Sequence, residues 1–196
     1  MTRRFLTNFA SFLVAATMFF GAANLAMADD SDLRRLADTA GCINCDLAGA
    51  DLHRARLNHT DLTGADLRYA DMSGAILISA LLGQTDLRGT DLRDASAVGA
   101  RLREANLIGA NLREADLTGA MMRGVDLRGA DLREARLGRA ILNGARFEGA
   151  DLRGTNLTDA TGLTQASLDG ACGDAATRLP DGLTVSPCTT VELAMN

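Results

Sequence analysis

The 196-residue chain contains no lysine and no tryptophan, and Tyr69 is its one tyrosine. Proteins that follow a nucleic-acid backbone combine basic side chains with aromatic rings on which the bases stack. This composition gives little support to such a binding groove. We therefore expect no nucleic-acid partner.

The chain also lacks a recognisable catalytic constellation. No Gly-rich phosphate loop, Ser-His-Asp set or pair of catalytic carboxylates stands out from the rest of the sequence. The two histidines, His53 and His59, could bind a metal weakly with Asp51 and Asp61, but solvated surface histidines are the commoner case. We therefore predict no enzyme activity, no cofactor and no metal site.

The feature that the chain does have is a repeat of five residues. A leucine or a close substitute recurs at every fifth position from Leu47 to Leu157, and a small residue precedes almost every one by two places. On a helix this period would spread the leucines around the whole surface, and on a flat strand it would put them on alternating faces. Neither element would bury the leucines together.

A four-sided coil satisfies this period if each unit forms one short extended side and then turns a corner. The leucine and the small residue then point inward, about twenty residues complete a coil, and coils stack about 4.8 Å apart through strand-type hydrogen bonds. Glycine at about half of the corners predicts a mixture of two turn types. Ala97 stands where a leucine is expected, and a missing core leucine costs about 2 to 5 kcal/mol unless neighbours close the gap.

The tandem units, such as Ala50-Asp51-Leu52 and Ala150-Asp151-Leu152, resemble the pentapeptide-repeat family. The resemblance implies an all-β solenoid, a right-handed quadrilateral β-helix, with short helical or loop caps at both ends. The period alone does not determine the hand of the coil. We assign residues 1–28 to a signal peptide, 29–44 to an N-terminal cap, 45–160 to the pentapeptide-repeat β-helix and 161–196 to a C-terminal cap.

The first 28 residues are a different kind of sequence. Arg3 and Arg4 precede an uncharged, largely apolar stretch, and Ala26 and Ala28 form a small-x-small cleavage site. An uncleaved membrane anchor is the alternative, because residues 9–28 are just long enough to span a bilayer. The pattern favours cleavage, so we expect a periplasmic or secreted protein with no stable membrane insertion.

The segments next to the repeats have the character of caps. Asp30 or Ser31 could begin a short helix that contains Leu33 and Leu36, and residues 164–172 could form another after the five-residue register slips. Both would cover open ends of the coil, as solenoids require.

The four cysteines, Cys42, Cys45, Cys172 and Cys188, lie only at these ends. Export favours disulfides. A pair that joined opposite ends would span about 28 Å of stacked coils, whereas a disulfide tolerates only about 4.4 to 6.8 Å between Cα atoms. We therefore predict the two local pairs. A thioredoxin-like role for Cys42 and Cys45 lacks a surrounding βαβ pattern, and one zinc held by all four thiolates fails on the same distance.

Outward positions fall into columns of residues twenty apart in sequence. One column holds Arg93, Arg113, Arg133 and Arg153, each with acidic neighbours. We interpret this column as a solvated set of offset charges that keeps the protein soluble, with a site for an acidic partner or polyanion as the alternative.

The outward apolar residues are the candidate binding site. Monomeric surfaces seldom keep large contiguous apolar patches without use, so we predict a strip that contacts a protein partner, a second copy or a terminal segment of the chain. Relaxed surface sequence is the remaining alternative, and Arg101 interrupts the strip. Its members are Ile76, Ile78, Leu81, Val98, Met121 and Ile141.

Together these features favour a non-enzymatic exported solenoid, serving as a structural or protein–protein interaction scaffold in the cell envelope. Its partner is an unknown protein or a second copy of the chain. A subset of the family resembles DNA in shape and charge and binds type II topoisomerases, and a DNA-mimicking binder is the alternative function. That alternative implies a cytoplasmic chain with a strongly acidic face, whereas this chain has an export signal and arginine columns.

Overall fold

Each turn of the coil contains twenty residues. In a computed structural model that describes residues 30–39 and 41–188, parallel β-bridges join residues twenty apart in four ladders, which we call sides 1 to 4. The bridge residues are Asp46, Asp66, Asp86, Asn106, Asp126 and Arg146 on side 1; Asp51, Asp71, Asp91, Asn111, Asp131, Asp151 and Cys172 on side 2; Arg56, Ile76, Ser96, Asp116, Arg136, Asn156 and Arg178 on side 3; and Gly41, Asp61, Leu81, Arg101, Met121, Ile141 and Thr161 on side 4.

The core is one continuous column enclosed by the four sides. The central residue of every unit from Leu47 to Leu157 is buried, and so is the small residue two places before it. Some of the small positions hold threonine, and the hydroxyls of Thr85, Thr90 and Thr155 donate to leucine carbonyls of the preceding coil, as Thr90 does to Leu67 at 2.7 Å. Because these hydroxyls have partners, the polar positions do not disrupt the apolar interior.

All the repeat corners have the same backbone geometry. The residue two places after each central residue has a positive φ at 24 successive corners from Asn44 to Asp159, and twelve of these residues are not glycine. A four-residue hydrogen bond closes the corners, as from the Ala50 N–H to the Leu47 carbonyl at 3.1 Å, so the geometry is that of a type II turn. The predicted mixture of two turn types is wrong, because the corner backbone also bonds to the next coil, as from Gly49 to Arg68, and stacking requires one shape.

A nine-residue helix, α1 (Asp30–Asp38), lies at the N-terminal end. Leu33 and Leu36 pack against the core of the coil. The Asp32 carboxylate accepts the Asp46 N–H at 2.8 Å, so the helix satisfies a donor that has no earlier coil to bond to.

The C-terminal helix is shorter than the predicted segment 164–172. α2 (Gln165–Leu168) is capped by Thr164, whose side chain accepts the Ser167 N–H, and it is followed by Asp169 in extended conformation and by Gly170 with φ +81°. The residues that follow pair with the preceding coil instead. The prediction missed this because the pairing depends on contacts distant in sequence.

The ladders extend beyond the predicted range 45–160 at both ends. Gly41 pairs with Asp61, while Cys172 and Arg178 pair with side 2 and side 3 after insertions that break the twenty-residue spacing. β1 (Cys172–Gly173) then pairs in parallel with β2 (Ser186–Pro187). Pro187 has no N–H to donate to this ladder, and the following bond runs from the Cys188 N–H to the Gly173 carbonyl at 3.0 Å.

The core at Ala97 contains a small cavity of about 10 Å³, lined only by apolar side chains that include Ala97, Leu77 and Leu117. The neighbours therefore close most of the gap that the missing leucine would leave.

The predicted signal peptide, residues 1–28, lies outside the described residues. Of the helices in the described part of the chain, neither has the length and apolar character needed to cross a membrane.

Candidate functional site

Both predicted disulfides are present. Cys42 and Cys45 are 5.4 Å apart at their Cα atoms and completely buried, because Cys42 occupies a central position and Cys45 a small-residue position of the first coil. Cys172 and Cys188 are 4.7 Å apart at Cα and partly exposed. The first pair therefore belongs to the core, and the second fastens the end of the described chain to side 2.

Two sets of potential metal ligands converge in the described residues, Asp32 with Cys42 and Cys45, and Asp151 with Cys172 and Cys188. Each set consists of one carboxylate and one disulfide, whose sulfurs are not thiolates. Neither set contains His53 or His59. His53 Nδ1 lies 2.8 Å from the Ser73 hydroxyl, and His59 stands at the corner between sides 3 and 4.

Sides 1 and 2 carry a recurrent ion pair, which the sequence indicated only as arginines with acidic neighbours and without its geometry. In each Asp-Leu-Arg unit the arginine N–H donates to the aspartate Oδ1, and its guanidinium donates to both carboxylate oxygens. We call this arrangement the Asp–Arg fork; for Asp131 and Arg133 the Nε–Oδ1 distance is 2.8 Å. The six forks are Asp66–Arg68, Asp86–Arg88, Asp91–Arg93, Asp126–Arg128, Asp131–Arg133 and Asp151–Arg153.

The forks explain how like charges stack along the coil. Arg133 also lies 3.8 Å from Asp151 of the next coil, so one guanidinium serves two successive carboxylates. The hydrogen bond from Arg133 holds the pKa of Asp131 below its ordinary value, and Arg153 lowers the pKa of Asp151 in the same way. Where Asn111 replaces the aspartate, Arg113 turns to Glu114 at 3.2 Å instead.

The predicted apolar strip lies on two adjacent sides of the coil. Leu81, Met121 and Ile141 are bridge residues of side 4, with Arg101 between the first two. Ile76 is a bridge residue of side 3.

Two further members of the strip, Ile78 and Val98, precede the corner between sides 3 and 4. The backbone joins their coils, since the Ser79 N–H donates to the Val98 carbonyl at 3.0 Å. Ile78 is 39% exposed and Met121 is 37% exposed, while the other members are half-buried.

A shallow groove of about 440 Å³ follows this corner, and we call it the corner groove. It is lined by His59, Ser79, Leu81, Gly99, Arg101 and Met121. Ser79 and Gly99 form its floor because the corner positions of these coils hold small residues. A signal for the groove was present in the sequence, since small corner residues stand between two columns of apolar residues.

Arg101 differs from the arginines of the forks. Within residues 30–39 and 41–188, no carboxylate lies within 4.0 Å of its guanidinium. Two acids of sides 3 and 4 have other partners, since Glu104 bonds to Arg103 at 3.0 Å and Asp116 lies 3.7 Å from Arg136. The corner groove therefore presents an unpaired cation between two apolar side chains.

The model for the pentapeptide-repeat family matches the chain in eight copies, over residues 42–84, 77–107, 85–124, 98–133 and 122–159. A pentapeptide repeat protein from the Arabidopsis thaliana thylakoid lumen is 31% identical, with a TM-score of 0.50 over 55% of this chain and 77% of that chain. Rfr23, from the cyanobacterium Cyanothece 51142, is 26% identical, with a TM-score of 0.49 over 76% of this chain and 97% of that chain.

A trypsin-treated form of QnrB1, a plasmid-mediated fluoroquinolone resistance protein, is 25% identical, with a TM-score of 0.29 over 69% of this chain and 80% of that chain. A search of curated proteins gives no match. The family match and the thylakoid-lumen structure imply that the four-sided coil is a right-handed quadrilateral β-helix.

Proposed function

Because this chain belongs to the pentapeptide-repeat family, we propose that it is a non-enzymatic, exported solenoid that serves as a structural or protein–protein interaction scaffold in the cell envelope. The coil supplies a rigid body, since its sides are bonded to both neighbouring coils. The segments at its two ends act as caps, with α1 covering the first coil and the disulfide-bonded segment 161–188 covering the last.

A location outside the cytoplasm is part of this proposal. Disulfides persist in oxidising compartments, and this chain has one at each end of the coil. A related protein from a thylakoid lumen and the export signal predicted for residues 1–28 support the same location. We propose that the mature protein is periplasmic or secreted.

The observation that carries the proposed interaction role is the contrast between the sides. Sides 1 and 2 carry the six forks, whereas the corner between sides 3 and 4 presents apolar side chains beside Arg101, which has no carboxylate partner among the described residues. Paired surface charges contribute little to association, while exposed apolar groups lose contact with water when a partner covers them. We therefore assign partner binding to the strip of Ile76, Ile78, Leu81, Val98, Met121 and Ile141.

The second candidate function is a DNA-mimicking binder of a type II topoisomerase. Side 2 favours it most, because its outward positions hold more acids than arginines. The acids are Asp51, Asp71, Asp91, Asp94, Glu114, Asp131, Glu134 and Asp151, against Arg54, Arg93, Arg113, Arg133 and Arg153. The forks neutralise part of this charge, which makes the side a weaker imitation of a phosphate backbone.

Cell fractionation combined with thiol trapping tests the proposed location. We expect the protein in the envelope or exported fraction, with all four cysteines protected from alkylation until a reductant is added. A cytoplasmic protein with free thiols would contradict the proposal. Inhibition of a purified type II topoisomerase by that cytoplasmic protein would establish the second candidate.

The interaction role is tested by chemical crosslinking in the fraction that contains the protein. The double variant Leu81→Asp, Met121→Asp is compared with Arg88→Ala, which changes a fork on the opposite part of the coil. We expect the strip variant to lose crosslinked proteins that the fork variant retains. Identical crosslinked species from both variants, with both folded, would refute partner binding by the strip.

A further inference from the structure

We propose that the corner groove binds an amphipathic helix of a partner protein, one whose apolar stripe contains a single carboxylate that pairs with Arg101. This inference rests on the proposed interaction role and adds the chemistry of the partner. It follows from the spacing of the groove residues, the open space over its floor and the charges that surround it.

The spacing of the groove matches the repeat of a helix. Leu81, Arg101 and Met121 are successive bridge residues of side 4, so their side chains recur about every 4.8 Å along the coil axis. Residues three or four apart on a helix recur about every 5.4 Å, whereas same-face residues of a strand recur about every 6.7 Å. A helix that lies along the axis therefore keeps its contacts in register over these three coils.

The floor of the groove permits close approach. Ser79 and Gly99 stand at the corner, and Gly119 continues their column into the next coil. A Cβ placed on Gly119 would meet no atom within 4 Å, so the surface above this position is open. The apolar face of a helix can then contact Leu81 and Met121 at the same time.

The charges around the groove select an acidic partner. Arg101 is exposed, and among the described residues it has no carboxylate partner, while His59 lies at one end of the groove. A carboxylate held between Leu81 and Met121 would pair with Arg101 at a site that the apolar side chains partly shield from water, where a charge-assisted hydrogen bond is stronger than in solvent.

The same charges disfavour a second copy of the chain as the occupant. A two-fold symmetric contact between the strips of two copies would bring their Arg101 side chains toward each other. The acidic sides of a second copy present few outward apolar residues, chiefly Tyr69 and Ile108 on side 1.

The spacing of the groove residues and the exposed Arg101 therefore favour a partner protein as the occupant.

Panning a phage library of random 16-residue peptides against the folded, oxidised protein tests the inference. We expect enriched peptides to share one Asp or Glu with apolar residues three or four positions away on both sides. A synthetic peptide of the consensus should bind at least tenfold more weakly to Arg101→Glu and should retain most of its affinity for Arg101→Lys.

Arg54→Glu is the matched control. It makes the same change in net charge at another corner, and Glu already occupies corners of this geometry at Glu104 and Glu114. We expect the control to bind the peptide as the unmodified protein does. Its circular dichroism and that of Arg101→Glu should be unchanged, because neither arginine has an ion-pair partner within the described residues.

Three outcomes would overturn the inference. The peptide consensus could lack an acid or have its apolar residues two positions apart, or the consensus peptide could bind Arg101→Glu as tightly as it binds the unmodified protein. The third is concentration-dependent self-association of the protein that Leu81→Asp abolishes. If panning fails while proteins crosslink to another part of the strip in cells, the inference is wrong and the scaffold function stands. If the protein is cytoplasmic and its strip variant keeps every crosslinked species, the proposed function itself fails.

Discussion

The replacement of Gly109 by alanine measures the backbone strain that a corner imposes. Gly109 has φ +64°, and a Cβ added to it meets no atom within 4 Å. The only penalty in the folded state is therefore the left-handed conformation, which costs an L-residue about 1 to 2 kcal/mol. The loss of chain freedom in the unfolded state offsets about 0.4 to 1 kcal/mol of this, so we expect a net destabilisation of about 1 kcal/mol.

Gly83→Ala is the control that isolates the strain. Gly83 lies within the repeats but is not one of the glycines with positive φ, and an added Cβ stands 3.7 Å from the Arg103 carbonyl oxygen, an ordinary contact. The unfolded-state effect is the same for both substitutions, so Gly83→Ala should stabilise the protein by about 0.4 to 1 kcal/mol. The difference between the two variants is then the strain itself, about 1 to 2 kcal/mol.

Guanidinium denaturation followed by circular dichroism, with the disulfides intact, gives both changes in the free energy of unfolding. The two variants should move the transition midpoint in opposite directions without changing its slope. Equal shifts for both variants, or a stabilising Gly109→Ala, would refute the conclusion that every corner is a left-handed turn.

Three further predictions concern the core, the forks and the disulfides. Ala97→Leu restores the leucine of the repeat but overfills a cavity of about 10 Å³, so we expect it to lower the free energy of unfolding by about 1 to 3 kcal/mol. A stabilised variant would contradict the conclusion that neighbouring side chains close most of the gap at Ala97. The pKa of Asp131 lies below its ordinary value of 3.8 in the folded protein, so its ionised form contributes stability above that pH and loses it as the pH falls through the folded pKa. Asp131→Asn should therefore show a smaller decrease in denaturation midpoint below about pH 4 than the unmodified protein, and an unchanged decrease would count against the fork. The double variant Cys172→Ser, Cys188→Ser removes a disulfide between residues 16 apart and should lower the free energy of unfolding by about 3 kcal/mol. Removal of the Cys42–Cys45 disulfide, whose cysteines are three residues apart, should lower it by about 2 kcal/mol. Under a dithiol reductant the partly exposed Cys172–Cys188 pair should be reduced first, which alkylation and mass spectrometry can establish.

The coil could be predicted from the sequence because one short period determines it. Each leucine must be buried, and a unit of five residues allows that only if the chain turns after each one. The buried positions of Cys42 and Cys45 followed from the same register, and so did the columns that bring Leu81 and Met121 together. These features depend on local spacing, which a single sequence displays directly.

The features that depend on neighbouring coils were less predictable. The corner geometry at Arg139, where φ is +61°, contradicts the ordinary preference of a non-glycine residue, and it is imposed by hydrogen bonds to the next coil. α2 ends at Leu168 rather than near Cys172 because the following residues pair with side 2. Arg101 interrupts the apolar strip in the sequence, and only the positions of the surrounding carboxylates reveal that it has no ion-pair partner among the described residues.

Site-directed photocrosslinking in living cells tests the central claim, that one corner of the coil contacts a partner. Gly119 and Gly129 stand half a coil apart, at opposite corners, and both have positive φ with open space around an added Cβ. Tyr69, with φ 58°, indicates that an aromatic residue is compatible with this corner, so a benzoylphenylalanine can replace either glycine. We predict a discrete crosslinked protein from position 119 and none from position 129; equal crosslinking from both positions, or from position 129 alone, would contradict the account.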